Sequence, residues 1–281
     1  MTIFAVRKIR MMEIGGFVLA ALVGMSLGLI GGGGSVLMVP VLVYIMGLNP
    51  LLATSYSLFI VGCTSMVGAF YNYRKGLVHI NTTLLFGAAS VSAVFITRKW
   101  ILPAIPENIL TIGHFNLTLS TLTMVLFAVL MLAASFAMIK GIKKETPAHT
   151  SGPAHSLKIN VPKLLLYGIG IGWVTGFLGA GGGFLLIPIL VLLLGLPMQQ
   201  AVGTSMFIIG LNSLIGFTGD LGHFAIDWLF LLKITAIAIV GIFIGGKLSK
   251  RIKGEKLRKG FGWFVLTMGN FILIKEIFFQ A

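Results

Sequence analysis

The sequence predicts an all-α polytopic membrane protein made of two homologous repeats. Each repeat is a glycine-broken helical hairpin plus three spans, and the second is inverted relative to the first. Three observations lead there. Hydrophobic residues make up 57% of the 281 and charged residues only 10%, with a mean hydropathy of +1.03. A soluble domain carries about a quarter charged residues, so this chain lacks the polar groups to cover a globular surface and must be solvated by lipid. Second, uncharged runs near the roughly 20 residues of a spanning helix recur along the chain. They lack the period-2 alternation of barrel strands, and a bilayer admits only helices or closed barrels. Third, the chain repeats itself: shifted by 148 positions, residues 24–68 lie over 172–216 without a gap, and 18 of the 45 pairs are identical.

These figures exclude a disordered chain, a disulfide scaffold and a cytosolic enzyme. The one cysteine, Cys63, lies in an apolar run and can form no intrachain disulfide. The net charge of +14 does not point to nucleic acid. The basic residues sit between apolar segments, as cationic flanks of membrane spans do.

Taken in order, the first uncharged run extends from Ile14 to Tyr73 and divides at Asn49-Pro50, where a turn is expected. Runs over 80–97 and 117–139 follow. The polar stretch 140–163, with Pro147, Gly152 and Pro153, is the linker between a first repeat at 12–139 and a second at 164–281. The second repeat supplies runs at 164–196, 200–219, 228–246 and 261–274. Arg7, Lys8 and Arg10 ahead of apolar residues resemble a signal peptide, but the segment after them recurs internally and belongs to the fold. A period this long is a duplication, not a solenoid.

The identities concentrate on glycine and proline. Each repeat opens with an apolar stretch of about 33 residues, too long for one span. Both are broken at the same place, at Gly31-Gly32-Gly33-Gly34 and at Gly179-Ala180-Gly181-Gly182-Gly183, with Pro40 and Pro188 following each run. Glycine costs a helix about 1 kcal/mol against alanine and proline about 3, so these runs leave the helix. The pairs Gly24/Gly28 and Gly172/Gly176 instead read as small-residue helix contacts. Non-helical backbone at membrane depth must be buried in protein or line a cavity. Paired interrupted segments in corresponding halves point to a transporter's substrate site. The pieces that restart near Ser35 and Phe184 offer free N–H groups and a positive dipole end to an anion. No lysine or arginine lies near either run in the sequence, so the expected site binds an anion without a cationic side chain.

The stretches GLIGGGGSVLMVPVLV at 28–43 and GFLGAGGGFLLIPILV at 176–191 resemble the doubled signature of the TauE/SafE family of sulfite exporters. The segments Ala53-Thr54-Ser55-Tyr56-Ser57 and Ala201-Val202-Gly203-Thr204-Ser205 are similar to that family's short Ala/Gly-Thr-Ser stretch, with Tyr56 standing where the second copy has threonine. The resemblance covers nearly the whole chain. It implies a multi-pass protein of the cell membrane that exports a small, sulfur-containing anion such as sulfite or an organosulfonate by secondary transport, without a cofactor or metal. The expected partners are that anion, the bilayer and a coupling proton.

The expected substrate-binding residues are Gly31, Gly32, Gly33, Gly34, Ser35 and Ser57 in the first repeat. In the second they are Gly179, Gly181, Gly182, Gly183, Thr204, Ser205 and Asn212. The hydroxyls and amides recur at the same offset, with Thr64, Ser65 and Ser213 beside them, and can donate to an anion's oxygens. Asp220, His223 and Asp227 cluster at the end of an apolar segment, opposite Asn72, Lys75 and His79 of the first copy. Of these, Asp220 and His223 are the proton-coupling candidates, because histidine titrates near physiological pH and an ionisable group at membrane depth is costly. Lys233 is expected to snorkel, and the stretch from Ile101 to Phe115 reads as interfacial.

Eight conventional spans would place the seven basic residues from Lys247 to Lys259 outside, against the positive-inside rule. If each broken segment is instead a re-entrant hairpin with arms of about 17 and 13 residues, the arms reach roughly 26 and 20 Å. Each half then crosses three times and the halves are inverted. Fourteen of the 21 basic residues now share one side, with Asp220 and Asp227 on the other.

Other functions share parts of this pattern; a membrane anchor or assembly subunit would not need two glycine-broken segments. An anion channel would share the site but need a continuous pore. Gly24-Met25-Ser26-Leu27-Gly28 matches the G-x-S-x-G nucleophile pattern, but Val174 stands in place of the serine in the second copy. That argues for packing over hydrolysis.

Overall fold

The structure, a computed structural model, describes residues 2–112, 115–140, 161–248 and 254–278. These form ten helices and one short hairpin. The first half contains α1 (Thr2–Ile30), α2 (Gly32–Ile45), α3 (Pro50–Arg74) and α4 (Ile80–Ala104), then β1 (Asn108–Ile112), β2 (Phe115–Thr118) and α5 (Leu119–Lys140). The second half contains α6 (Val161–Leu178), α7 (Gly183–Leu194), α8 (Met198–Asp220), α9 (Trp228–Leu248) and α10 (Gly254–Phe278). Most of the expected linker, residues 141–160, lies outside the described residues.

Local chemistry sets the ends. Pro50 begins α3 behind Asn49, whose side chain accepts the Leu51 N–H at 2.9 Å. His79 caps α4 by accepting the Thr82 N–H, and Asp227 caps α9 by accepting that of Phe230. Helix α7 closes on Gly195 in the left-handed region (φ 62°), with the Leu196 N–H reaching back to Leu190 O. Within α2 the chain opens as a 3₁₀ turn over Gly32–Leu37 and ends, after Pro40, in a wide π turn over Val41–Ile45.

The helices of one half pack between those of the other. Helix α1 runs along α9, and α6, which is 148 residues further on, runs along α4. Helix α4 also packs on α8, and α9 on α3. Three pairs join corresponding elements: α3 with α8, α5 with α10, and α2 with α7. Every contact in the set thus has a counterpart when the halves are exchanged.

Glycines make the closest approaches. A methyl on Gly24, Gly28, Gly241 or Gly245 would collide with backbone of the facing helix in the α1–α9 pair. Gly172 does the same against Ser90 of α4, as expected of small-residue membrane contacts.

Among the described residues, six helices are long and apolar enough to cross a membrane: α3, α4, α5, α6, α8 and α9. Helices α3 and α8 are the most enclosed, with 67% of their apolar stretch buried against 39–44% in the other four. Large apolar side chains such as Leu84, Leu166, Trp173 and Leu229 face outward, while Ser55, Ser57, Ser65, Thr204 and Ser213 are buried. That inside-out distribution suits lipid.

Two features differ from the sequence reading. Helix α6 starts at Val161, so the first arm of the second broken segment is an 18-residue helix about 27 Å long that can itself cross. The stretch after Ile101, read as interfacial, is folded and not irregular. Pro103 and Pro106 end α4, and the chain turns into the antiparallel pair β1–β2, in which Asn108 faces Thr118 and Ile112 faces Phe115.

Candidate functional site

Both long apolar segments break at their glycines. The first break is a single residue, Gly31, at φ 81° and ψ −140°. The second spans four residues, with Gly179, Gly181 and Gly182 all left-handed at φ 66–68°. Glycine reaches that region at no steric cost, and three such positions in four residues would strain any other residue.

The two breaks meet. A methyl on Gly183 would overlap the carbonyl of Gly32, and one on Gly32 would lie 2.7 Å from Gly183 Cα. The starts of α2 and α7, each with N–H groups that have no intrahelical partner, therefore share one buried centre beside α3 and α8.

The two breaks differ in what lines them. At the first, hypothetical methyls on Gly31, Gly32 and Gly33 would meet side-chain carbons of Val202, Ile209 and Ile30. One on Gly34 would meet the Ser26 hydroxyl, which already donates to Val23 O at 2.7 Å. At the second, apolar neighbours such as Ile209 and Val61 are joined by polar ones. A methyl on Gly179 would lie 2.7 Å from Arg98 Nη2, one on Gly181 3.0 Å from Ser213 Oγ, and one on Gly182 against Thr175 Oγ1. All three atoms are buried and have no hydrogen-bond partner.

Arg98 corrects the expectation of a site without a cationic side chain. It lies 81 positions from Gly179 in sequence but against it in space. Arg98, on the same buried face of α4 as Ser90 and Val94, lies where the helix opens into a π turn over Thr97–Ile101 and is 1% exposed. Two glycines admit the turn: a methyl on Gly176 would meet Thr97, and one on Gly219 would lie 3.0 Å from Arg98 Cβ. Arg98 Nη1 donates to Asp220 Oδ2 at 3.0 Å and to Thr54 Oγ1 at 3.2 Å, while Nε and Nη2 donate to nothing. Asp220 is 2% exposed.

The other expected residues sort as follows. Gly31 to Gly34, Ser35 and Ser57 are buried, and Ser35 Oγ donates to Gly32 O while Ser57 Oγ has no partner. Thr204 Oγ1 accepts the His79 N–H at 2.9 Å, and Tyr56, at the equivalent position, accepts the Asp227 N–H at 2.7 Å. These two hydroxyls tie each central helix to the loop ahead of α4 or α9. Ser205 Oγ donates to Val202 O. Asn212 accepts from Ser90 at 2.9 Å and leaves its Nδ2 unpartnered. His223 is exposed beyond the end of α8, away from the buried cluster that holds Asp220.

Sequence reasoning missed Arg98, Thr54 and Thr175. Arg98 stands one residue past an apolar run and reads as a cationic flank. The available signal was Asp220, since a carboxylate closing an apolar segment needs a cation at its own depth.

The sequence profile described as Sulfite exporter TauE/SafE matches residues 16–272. The chain belongs to the TauE/SafE family. A "Probable membrane transporter protein" of Xylella fastidiosa (strain 9a5c) is 28% identical over 90% of this chain and 91% of its own length. The "Probable membrane transporter protein YunE" of Bacillus subtilis is 27% identical over 86% of this chain and 90% of its own. No solved structure matches. This TauE/SafE protein is thus a multi-pass membrane protein of a transporter family, and its paired breaks fall within the matched region.

Proposed function

We propose that this chain is a secondary transporter that exports a small sulfur-containing anion, sulfite or an organosulfonate, held between the two halves at the glycine-broken helix ends. The observation that carries the reading is the meeting of the two breaks at one buried centre, with a guanidinium against the second. Helix starts present N–H groups to an anion, and left-handed glycines let the backbone come close enough to use them. Alternating access of an inverted pair of repeats around such a centre fits the contacts that exchange between halves.

The same packing disfavours a channel. Gly32 and Gly183 touch through their backbones, and a pore open along its length has no room for that contact. Intramembrane hydrolysis is disfavoured too, because the Ser26 hydroxyl is spent on its own helix. For a coupling proton, Asp220 is the better carrier of the two expected, since it borders the second break through Arg98 while His223 stands exposed.

The test is uptake of labelled sulfite or methanesulfonate into proteoliposomes, with and without a pH gradient. Saturable flux that responds to the gradient is expected. Flux that follows only the anion's own electrochemical gradient, at channel rates, would overturn the carrier reading.

A further inference from the structure

The unpartnered polar atoms against the glycine runs lie at the second break, and Arg98 sits at its start. We infer that the side edge of the Arg98 guanidinium, Nε with Nη2, is the anion-recognising group of a single oxyanion site at Gly179–Gly182, and that Asp220 is the resident counter-ion whose charge weakens binding there. This rests on the anion-transport reading and specifies where in it the anion binds.

The argument starts from what Arg98 does with its five N–H bonds. Nη1 is used on Asp220 and Thr54, which hold the plane of the group in place. Nε and Nη2 carry parallel N–H bonds, the edge that matches two oxygens of one oxyanion. Both atoms are buried and unpartnered. An unmade hydrogen bond at a buried charged donor is expensive, and this fork is left unpartnered beside backbone where no Cβ fits, with Ser213 Oγ and Thr175 Oγ1 equally unpartnered further along the same four residues. A small oxyanion there would satisfy donors that nothing in the protein satisfies.

The first break cannot do the same. Val202 stands where the second has Thr54, Asn72 where it has Asp220, and the Asn72 amide donates to Gly68 O. The duplication has left two breaks at one place in the repeat but a buried cation at only one of them. Asp220 neutralises Arg98 through one nitrogen only, which keeps the cation buried yet lets an anion add at the other edge.

The test is anion binding to the purified full chain in chloride-free buffer, by calorimetry with sulfite and methanesulfonate, with thermal unfolding measured alongside. Because Arg98→Gln alone strands a buried Asp220, the informative variants are Asp220→Asn and the double variant Arg98→Gln/Asp220→Asn. The double variant should bind about a hundredfold more weakly, as for two lost charge-assisted hydrogen bonds. Asp220→Asn should bind several-fold more tightly, and sulfite should raise its unfolding temperature more than it does that of the wild type, since the anion then compensates a bare guanidinium.

Wild-type affinity in the double variant would overturn the inference, as would weakened binding in Asp220→Asn, chloride binding as tightly as sulfite, or no binding to the wild type. Transport by a double variant that binds normally would remove this site and leave the carrier reading standing. Binding that depends on Arg98 without any transport would do the reverse.

Discussion

Single glycines in the two runs have unequal duties. Gly181 is left-handed and has Ile209 Cγ2 at 2.9 Å and Ser213 Oγ at 3.0 Å from where a methyl would stand. Gly33, its counterpart, is not left-handed, and its nearest such neighbour is Ile30 Cγ2 at 3.3 Å. Gly181→Ala should therefore abolish sulfite uptake with the protein still in the membrane, while Gly33→Ala keeps most of it. Equal loss in both would mean the runs are matched in function. Thr204 and Tyr56 differ from what their place in the repeat suggests. Each hydroxyl accepts a backbone N–H from the other half, so Thr204→Val and Tyr56→Phe should each cost about 1 kcal/mol of stability. Substrate affinity, read by calorimetry, should change less than about threefold.

The helix pairs rest on glycines facing backbone. Gly172 on α6 would put a methyl into Ser90 O and within 2.6 Å of Ala93 Cβ, whereas Gly170, two residues earlier on the same helix, meets nothing within 4 Å. Gly172→Leu should separate α6 from α4 and leave little monodisperse protein in detergent. Gly170→Leu should elute as the wild type does. Disruption by both would show that helix propensity, not the interface, sets the outcome. The π turn of α4 is the other element whose form matters. Arg98 continues the buried stripe of Thr83, Gly87, Ser90 and Val94 into that turn, at the start of the second break.

For the whole molecule, the proposed inversion of the two halves makes a topological prediction. In a Cys63→Ala background, a cysteine at position 253 should be labelled from the cytoplasmic side together with one at position 75, and one at position 104 from the outside. Labelling of position 253 from outside intact cells would refute inversion. The reasoning is electrostatic: 14 of the 21 basic residues then lie on one face, with Asp220 and Asp227 toward the other. Position 253 itself lies outside the described residues, so chemistry must decide it.

What the sequence determined by itself was whatever depends on composition and local backbone cost. Lipid as solvent, helices as the only open spanning form, and breaks at Gly31 and Gly179 all follow from residues near one another in the chain. The alignment of 24–68 on 172–216 even indicated which glycines serve packing, because Gly24, Gly28, Gly172 and Gly176 recur without the serine between the first pair. Tertiary structure decided what depends on distant partners. It made Thr204 a tether, because only the fold brings His79 to it. It made Asp220, a carboxylate closing an apolar segment, the counter-ion of a buried arginine. It also made the two breaks chemically unequal, because each is lined by helices from elsewhere in the chain, and one of those helices carries Arg98. Burial removes water from a charge only where several segments converge, and no pattern within one segment records that convergence.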